Sequence, residues 1–471
     1  MDAQQIIEAI RQKKTTAVDV ARAALERAER HKDLNAFICL DWDGALAAAA
    51  RVDAGTRAGA LAGLPIVVKD NINTAHLPTT GGTPALRNAR PRQSAPSLQR
   101  LLDAGAIVIG KANLHELAFG VTNTNFTSFA GPARNPYDRN RIPGGSSGGT
   151  AVAIAARIVT CGLGSDTGGS TRVPAALTGI VGLRPSVGDG GTQRRYVDDN
   201  MVAPISPTRD TVGPMGRTVA DVALLDSVIT GTPLATPEAL VGKRFGMPAV
   251  LWGALEHNVQ TVALAACDTL AKAGVILVDA DLPGLFELTA KVGFPIALHE
   301  PLAAIPAYLA MSGIEGVTLE DIAAQIASPD VRAVFTSVME DATGNLYQDA
   351  LSVHRPMLQR LFETCFRDHR LDAILFPTTP AAAPLIDTER GSGEMAINGR
   401  EPVSTFHRLT RNTDPDSSAG IPGLSLFAGM TDSGLPVGLE IDGPLGSDRR
   451  LLGLGLSVEA LLGRAPAPPP E

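Results

Sequence analysis

IPGGSSGGTAVAIAARIVTCGLGSDTGGSTRVP, residues 142–174, is the stretch whose reading decides the fold. Two serine-bearing glycine loops, residues 144–149 and 164–170, bracket an apolar segment that suits a helix followed by a buried strand. Clustered glycines let a backbone take positive φ and bring its N–H groups close to a ligand, while a serine hydroxyl can attack or relay a proton. The pairing of the two implies acyl-transfer chemistry.

Outward from this stretch the pattern is strand, helix, strand. Residues 61–70, LAGLPIVVKD, form an apolar, β-branched run that stops at Lys69-Asp70-Asn71. This reads as a buried strand delivering a lysine to its carboxyl end, where open α/β sheets bind their ligands. A helix over 97–104, a strand over 106–109, a helix over 150–157, a strand over 158–163, a helix over 171–177 and a strand over 179–183 complete a mainly parallel α/β unit from about 60 to 185. Upstream, residues 1–30 read as two amphipathic helices, the second capped by Thr15 or Thr16. Downstream, 206–230 is a loop and then a helix capped near Thr218. Residues 235–370 turn helical, with one strand at 275–278, and suit a layer covering the substrate. Strands return at 373–376, 424–426 and 437–441, before a last helix over 448–462 and a tail over 463–471. Strand material on both sides of the helical section predicts one interleaved domain over 1–471: N-terminal helices to 60, a core over 61–230, the helical layer, and a C-terminal α/β part over 371–462.

Composition narrows the function. The chain has 471 residues, 44% of them hydrophobic, enough for a large core, and a net charge of -8 disfavours a nucleic-acid or anionic-membrane partner. The N-terminal MDAQQIIEAIRQKK has an acidic second residue and no long apolar core, so neither a signal peptide nor a membrane span is expected and the location follows as cytoplasmic. Cys39, Cys161, Cys267 and Cys365 are too scattered for a metal knuckle or a disulfide framework.

The short motifs leave two chemistries open. Gly144-Gly145-Ser146-Ser147-Gly148 fits the nucleophile elbow G-x-S-x-G, which would make Ser146 the nucleophile of an α/β-hydrolase with a distant histidine. Gly162, Gly164 and Gly168 miss the dinucleotide spacing, no lysine follows Gly148-Gly149 as a Walker loop needs, and His115-Glu116 has no second histidine at i+4 for zinc. The other chemistry is a serine activated by a lysine whose pKa burial depresses. Lys69 follows five consecutive apolar or proline residues, which would bury its stem.

Residues 144–186, GGSSGGTAVAIAARIVTCGLGSDTGGSTRVPAALTGIVGLRPS, resemble the signature of the amidase signature family. GLPIVVKDNI (63–72), GKANLHELAFGVTNTN (110–125) and GIPGLSLFAG (420–429) resemble its other segments. The resemblance implies a large twisted mixed sheet with a mainly parallel core, covered by helices on both faces. It also implies a Ser-cisSer-Lys triad: Ser170 as nucleophile, Ser146 on a cis peptide as the bridging serine, and Lys69 as base. The N–H groups of Thr167, Gly168, Gly169 and Ser170 would form the oxyanion hole, supported by an Asp166–Arg172 ion pair. No metal or organic cofactor is implied.

For the substrate, RNTDPDSSAGIPGLSLFAG (411–429), residues 195–226 and LPVGLEIDGPLGSDRRLL (435–452) are most similar to family members of the indoleacetamide and mandelamide hydrolase type. These release ammonia from primary amides of arylacetic-type acids, so the partner expected is a small-molecule amide, and a homodimer is implied. The resemblance places Phe119, Gly120, Val121, Thr122, Asn412 and Thr413 near the pocket. Thr150 and His115 depart from the commonest pattern and bear on substrate choice. The family also contains esterase-like and carbamate-cleaving amidases and the glutaminase subunit of tRNA amidotransferases, which stay open alongside the histidine-dependent hydrolase.

Overall fold

A computed structural model describes residues 1–198 and 200–469; residues 470 and 471 of the expected tail lie outside the described residues. Eleven strands form one sheet: β1 (Phe37–Leu40), β2 (Pro65–Lys69), β3 (Ile107–Ala112), β4 (Cys161–Asp166), β5 (Val181–Arg184), β6 (Thr211–Gly216), β7 (Arg244–Pro248), β8 (Ile276–Ala280), β9 (Ala373–Pro377) and, after the short ribbon β10 (Glu394–Met395) and β11 (Val403–Ser404), β12 (Gly423–Met430) and β13 (Pro436–Asp442). Their order is β1-β3-β2-β4-β6-β5-β12-β13-β9-β7-β8. The sheet is mixed, as expected. Its parallel pairs lie on the two wings, β3-β2-β4 and β9-β7-β8, while the pairs from β4 through β13 to β9 are antiparallel.

The apolar run before Lys69 follows from this architecture. Val67 packs into the core beneath helices Ala17–Arg30, Trp42–Asp53 and Gly148–Ala155, whereas Ile66 and Val68 face the opposite core with helix Pro96–Asp103. A strand covered on both faces has no polar side to show, so its sequence does not alternate. Strand alternation then carries Lys69 out at the carboxyl end of β2, beside the matching end of β4, where Val68 pairs with Leu163.

Three strands of the large sheet, and both strands of the short ribbon, escape the sequence pattern. β6 (TVGPMG) and β7 (RFGMP) contain glycine and proline, which weaken any strand signal, yet β6 is fully buried between β4 and β5. β1 is four half-buried residues at one sheet edge. β4 also runs to Asp166, three residues beyond the expected end, because Gly164 and Ser165 pair with Gly213 and Val212. The helix starts read correctly where a side chain closes the first turn. Thr16 accepts from Asp19 N–H and Thr218 from Asp221 N–H.

Between β8 and β9 the chain is helical, as expected, and two of these helices, Leu285–His299 and Pro329–Met339, wall the principal cavity. Among the described residues no helix is long and apolar enough to cross a membrane.

Candidate active site

The parallel pairing of β2 with β4 sets Lys69 beside the second glycine loop at the carboxyl ends of these strands, and the first loop meets both there through Ser146 and through Ser147 N–H donating to Ser170 O at 3.1 Å. Lys69, fully buried, places Nζ 2.7 Å from Ser146 Oγ and 2.8 Å from Ser165 Oγ. Asn71 Nδ2 donates to the same Ser165 hydroxyl at 2.9 Å. The peptide between Gly145 and Ser146 is cis. Ser147, also buried, donates to Ser165 O at 3.1 Å and begins helix Gly148–Ala155, so it serves the loop's structure. Ser165 and Asn71 were not singled out by sequence, although both lie within or beside the motifs that were; nothing in residue type alone says that they flank the lysine.

Burial lowers the Lys69 pKa to about 7, against the opposing pull of Asp166 and Asp210. A second buried lysine, Lys111, makes a useful contrast. Its Nζ lies 3.3 Å from Asp70 Oδ1 and donates to Ile72 O at 2.8 Å, so its cation has a carboxylate beside it. Lys69 has two serines there instead. No histidine side chain hydrogen-bonds to Ser146 or Ser170 among the described residues, and the elbow reading with Ser146 as nucleophile lacks its base.

Ser170 is partly exposed on the wall of a cavity of about 560 Å³, together with Thr167 and Gly168. The loop between β4 and helix Arg172–Thr178 is held from beneath by Asp166. One carboxylate oxygen accepts from Gly169 N–H at 2.8 Å; the other accepts from Thr171 N–H at 3.0 Å and Thr171 Oγ1 at 2.9 Å. Of the four amides expected to point at a ligand, Gly169's is therefore turned inward to Asp166. Those of Thr167, Gly168 and Ser170 have no acceptor among the described residues. Gly169 has φ +125°, and a Cβ there would come within 2.2 Å of Thr413 Oγ1, so this position needs glycine.

Asp166 and Arg172 do pair, at 3.2 Å, within a larger buried network. Arg172 also reaches Asp416, Glu440 Oε1 at 2.5 Å and Ser417 Oγ at 2.6 Å, and Arg184 adds a second cation 3.1 Å from Asp166 Oδ1. Burial alone would raise the Asp166 pKa, but Arg172 and Arg184 outweigh it and hold the carboxylate well below its usual range. Asp210 lies above the loop, where it accepts from Thr167 Oγ1 at 2.5 Å and from Ile205 and Ser206 N–H. Burial raises its pKa to about 6.

Phe119, Gly120, Val121 and Thr122 line the cavity. Asn412 and Thr413 do not. Asn412 is buried and donates to Leu251 O and Pro377 O, and Thr413 is buried and donates to Gly168 O at 2.8 Å, tying down the serine loop from behind. Apolar side chains that sequence had not picked out finish the enclosure: Phe286 and Phe294 from helix Leu285–His299, Val334 from helix Pro329–Met339, and Phe406. Arg411 lies over the Phe286 ring at 4.3 Å.

This is an α/β enzyme whose buried lysine–serine pair lies behind a glycine loop at the floor of an apolar cavity. The chain belongs to the amidase family, whose model matches residues 19–452, and it is an amidase. It is 41% identical over 460 residues to the indoleacetamide hydrolase of Agrobacterium vitis, covering 97% of this chain and 96% of that protein. The mandelamide hydrolase of Pseudomonas putida is 40% identical over 482 residues, covering 98% and 91% respectively. A crystal structure of an amidase superposes with a TM-score of 0.84 at 31% identity, covering 98% of this chain and 100% of that one.

Proposed function

We propose that the chain hydrolyses a primary arylacetamide to the carboxylate and ammonia through an acyl-Ser170 intermediate, with Ser146 as proton relay and Lys69 as base. The observation that carries this reading is the contact of the buried Lys69 amine with Ser146. An amine with a pKa near 7 holds a large neutral fraction at neutral pH and can accept a proton, which an exposed lysine cannot do there.

Ser170 attacks the amide carbonyl, and its proton passes through Ser146 to Lys69. The oxygen that gains charge in the tetrahedral intermediate is met by the free N–H groups of Thr167, Gly168 and Ser170, fixed in advance and requiring no reorganisation. The proton then returns by the same path to the leaving nitrogen, because ammonia does not depart as an anion. Water enters, gives its proton to the relay and releases the acid.

The acyl group is assigned from the cavity's chemistry and the relatives. Its wall carries Phe119, Phe286, Phe294 and Phe406, with Phe119 edge-on to Phe335 at 4.9 Å behind it. Such a wall favours a flat apolar group. The curated relatives act on indoleacetamide and mandelamide by name.

The test is ammonia release from phenylacetamide, aliphatic amides, glutamine and anilides. Primary arylacetamides are expected to turn over fastest. Ser170→Ala and Lys69→Ala are each expected to lower kcat by at least about 10³-fold with the fold intact. Full activity in either variant, or preferential turnover of anilides, contradicts the proposal.

A further inference from the structure

Two carboxylates stand on the cavity wall, Asp414 and Asp330. Asp330 keeps one oxygen 3.0 Å from His115 Nε2 and buries the other. Asp414 differs, because one of its oxygens is open to a ligand.

Two observations place Asp414 at the reacting end of the cavity. The residue before it, Thr413, donates to Gly168 O at 2.8 Å, and a Cβ on Gly168 would fall 3.2 Å from Asp414 Oδ1. The carboxylate therefore flanks a glycine whose N–H has no acceptor among the described residues, on a wall that also carries Ser170. Arg209, itself buried, donates from Nη1 to Gly293 O at 2.8 Å and from Nη2 to Asp414 Oδ1. One carboxylate oxygen is thus fixed. The other, Oδ2, has no hydrogen-bond partner among the described residues and is not sealed, since the Asp414 side chain keeps 25% of its surface accessible. Gly293, also on the wall, leaves it room: a Cβ there would fall 2.9 Å from Oδ2.

A carboxylate oxygen that loses its water when a ligand fills the cavity needs a donor in exchange. The nitrogen and the carbonyl oxygen of an amide share one carbon, so a carbonyl held by the Gly168 amide carries its NH2 group in among the residues beside this glycine. A carboxylate only accepts, and an unsubstituted carboxamide nitrogen supplies the donor, whereas an ester offers a lone pair there. We propose that Asp414 is a specificity-determining residue whose Oδ2 accepts a hydrogen bond from the N–H of the scissile amide, selecting unsubstituted carboxamides over esters. This rests on the acyl-Ser170 reading above and deepens it at the leaving group, independently of the acyl group. The phenylalanines of the wall read one end of the substrate, and Asp414 reads the other.

The experiment compares the amide and the methyl ester of one acyl group by kcat/KM, beginning with phenylacetyl. Asp414→Asn is nearly isosteric and keeps an acceptor for Arg209, which leaves the side-chain NH2 at the place of Oδ2 and so exchanges an acceptor for a donor. The amide-to-ester ratio of kcat/KM is expected to fall on the order of 10- to 100-fold, the worth of one hydrogen bond to a charged group. A carboxylate that only braced the serine turn would lower both substrates together, because both need Ser170 and the free amides, so an unchanged ratio overturns the proposal. A second measurement leaves Asp414 intact. Calorimetry on Ser170→Ala protein should show phenylacetamide binding on the order of 10-fold more tightly than methyl phenylacetate, and equal or reversed affinities overturn the proposal as well. Failure of the readings beneath it would look different. Ser170→Ala would itself release ammonia if the nucleophile were wrong, and if the acyl group were wrong the same comparison is made with the amide and ester of whichever acyl group turns over fastest.

Discussion

At the scale of single residues, the two buried lysines show why position within a strand end matters more than burial. Lys111 is held by a carboxylate and carbonyls, whereas Lys69 meets hydroxyls. The pH dependence follows from the direction of the shift. Lys69's folded value, about 7, lies below the ordinary lysine value, and in the proposed mechanism the neutral amine is the base. Therefore kcat/KM should fall as pH drops through about 7 and form a plateau on the alkaline side, well before pH 10. A profile that climbs only above about pH 10 would show an unperturbed lysine and contradict the assignment. The burial of the lysine was legible because five apolar or proline residues precede it, the record of a strand covered on both faces, whereas its role as base came only from the family resemblance. Ser165 and Asn71 were not: each meets its partner across a long stretch of chain, and no local spacing records such a meeting.

At the scale of elements, the working part is the turn between β4 and helix Arg172–Thr178. It is pinned on one side by Asp166 and on the other by Thr413, whose hydroxyl donates to Gly168 O. Thr413→Val keeps the shape and removes that bond, leaving the partly buried Gly168 carbonyl without this donor. The expected cost is about 1 kcal/mol in stability, read from urea unfolding, with a larger loss in kcat than in KM because the Gly168 amide shifts. An unchanged kcat would mean that Asp166 fixes the loop alone. The sequence revealed this turn, together with the helices and strands around it, because glycine clusters and apolar runs mark such changes of direction. It hid β6 and β7, where glycine and proline are tolerated through pairing with neighbours far along the chain. It also misled at Gly169, where the glycine serves a backbone conformation and an inward hydrogen bond rather than a ligand.

At the scale of the whole molecule, Arg172 joins what the chain order separates. It connects Asp166 at the end of β4, Asp416 in helix Asp414–Ala419 and Glu440 in β13, and Asp442 lies next to this group. Burial raises the pKa values of Asp416, Glu440 and Asp442, so the cluster holds protons that free carboxyls would release, and Arg172 limits how many. Arg172→Met removes the central cation and leaves Arg184 as the remaining one against Asp166. The expected loss is about 3–5 kcal/mol, the usual result of stripping the partner from a buried charge. Its pH dependence has a definite sign. A carboxyl whose folded pKa lies above its unfolded value binds more protons in the native state, so its contribution to stability fades as pH rises from the unfolded value toward the folded one. Without Arg172 those carboxyls are harder still to ionise, and the destabilisation should be smaller at pH 5.5 than at pH 8. Urea unfolding at both values measures it, and a penalty equal at both, or larger in acid, would mean that the cluster does not share protons in this way.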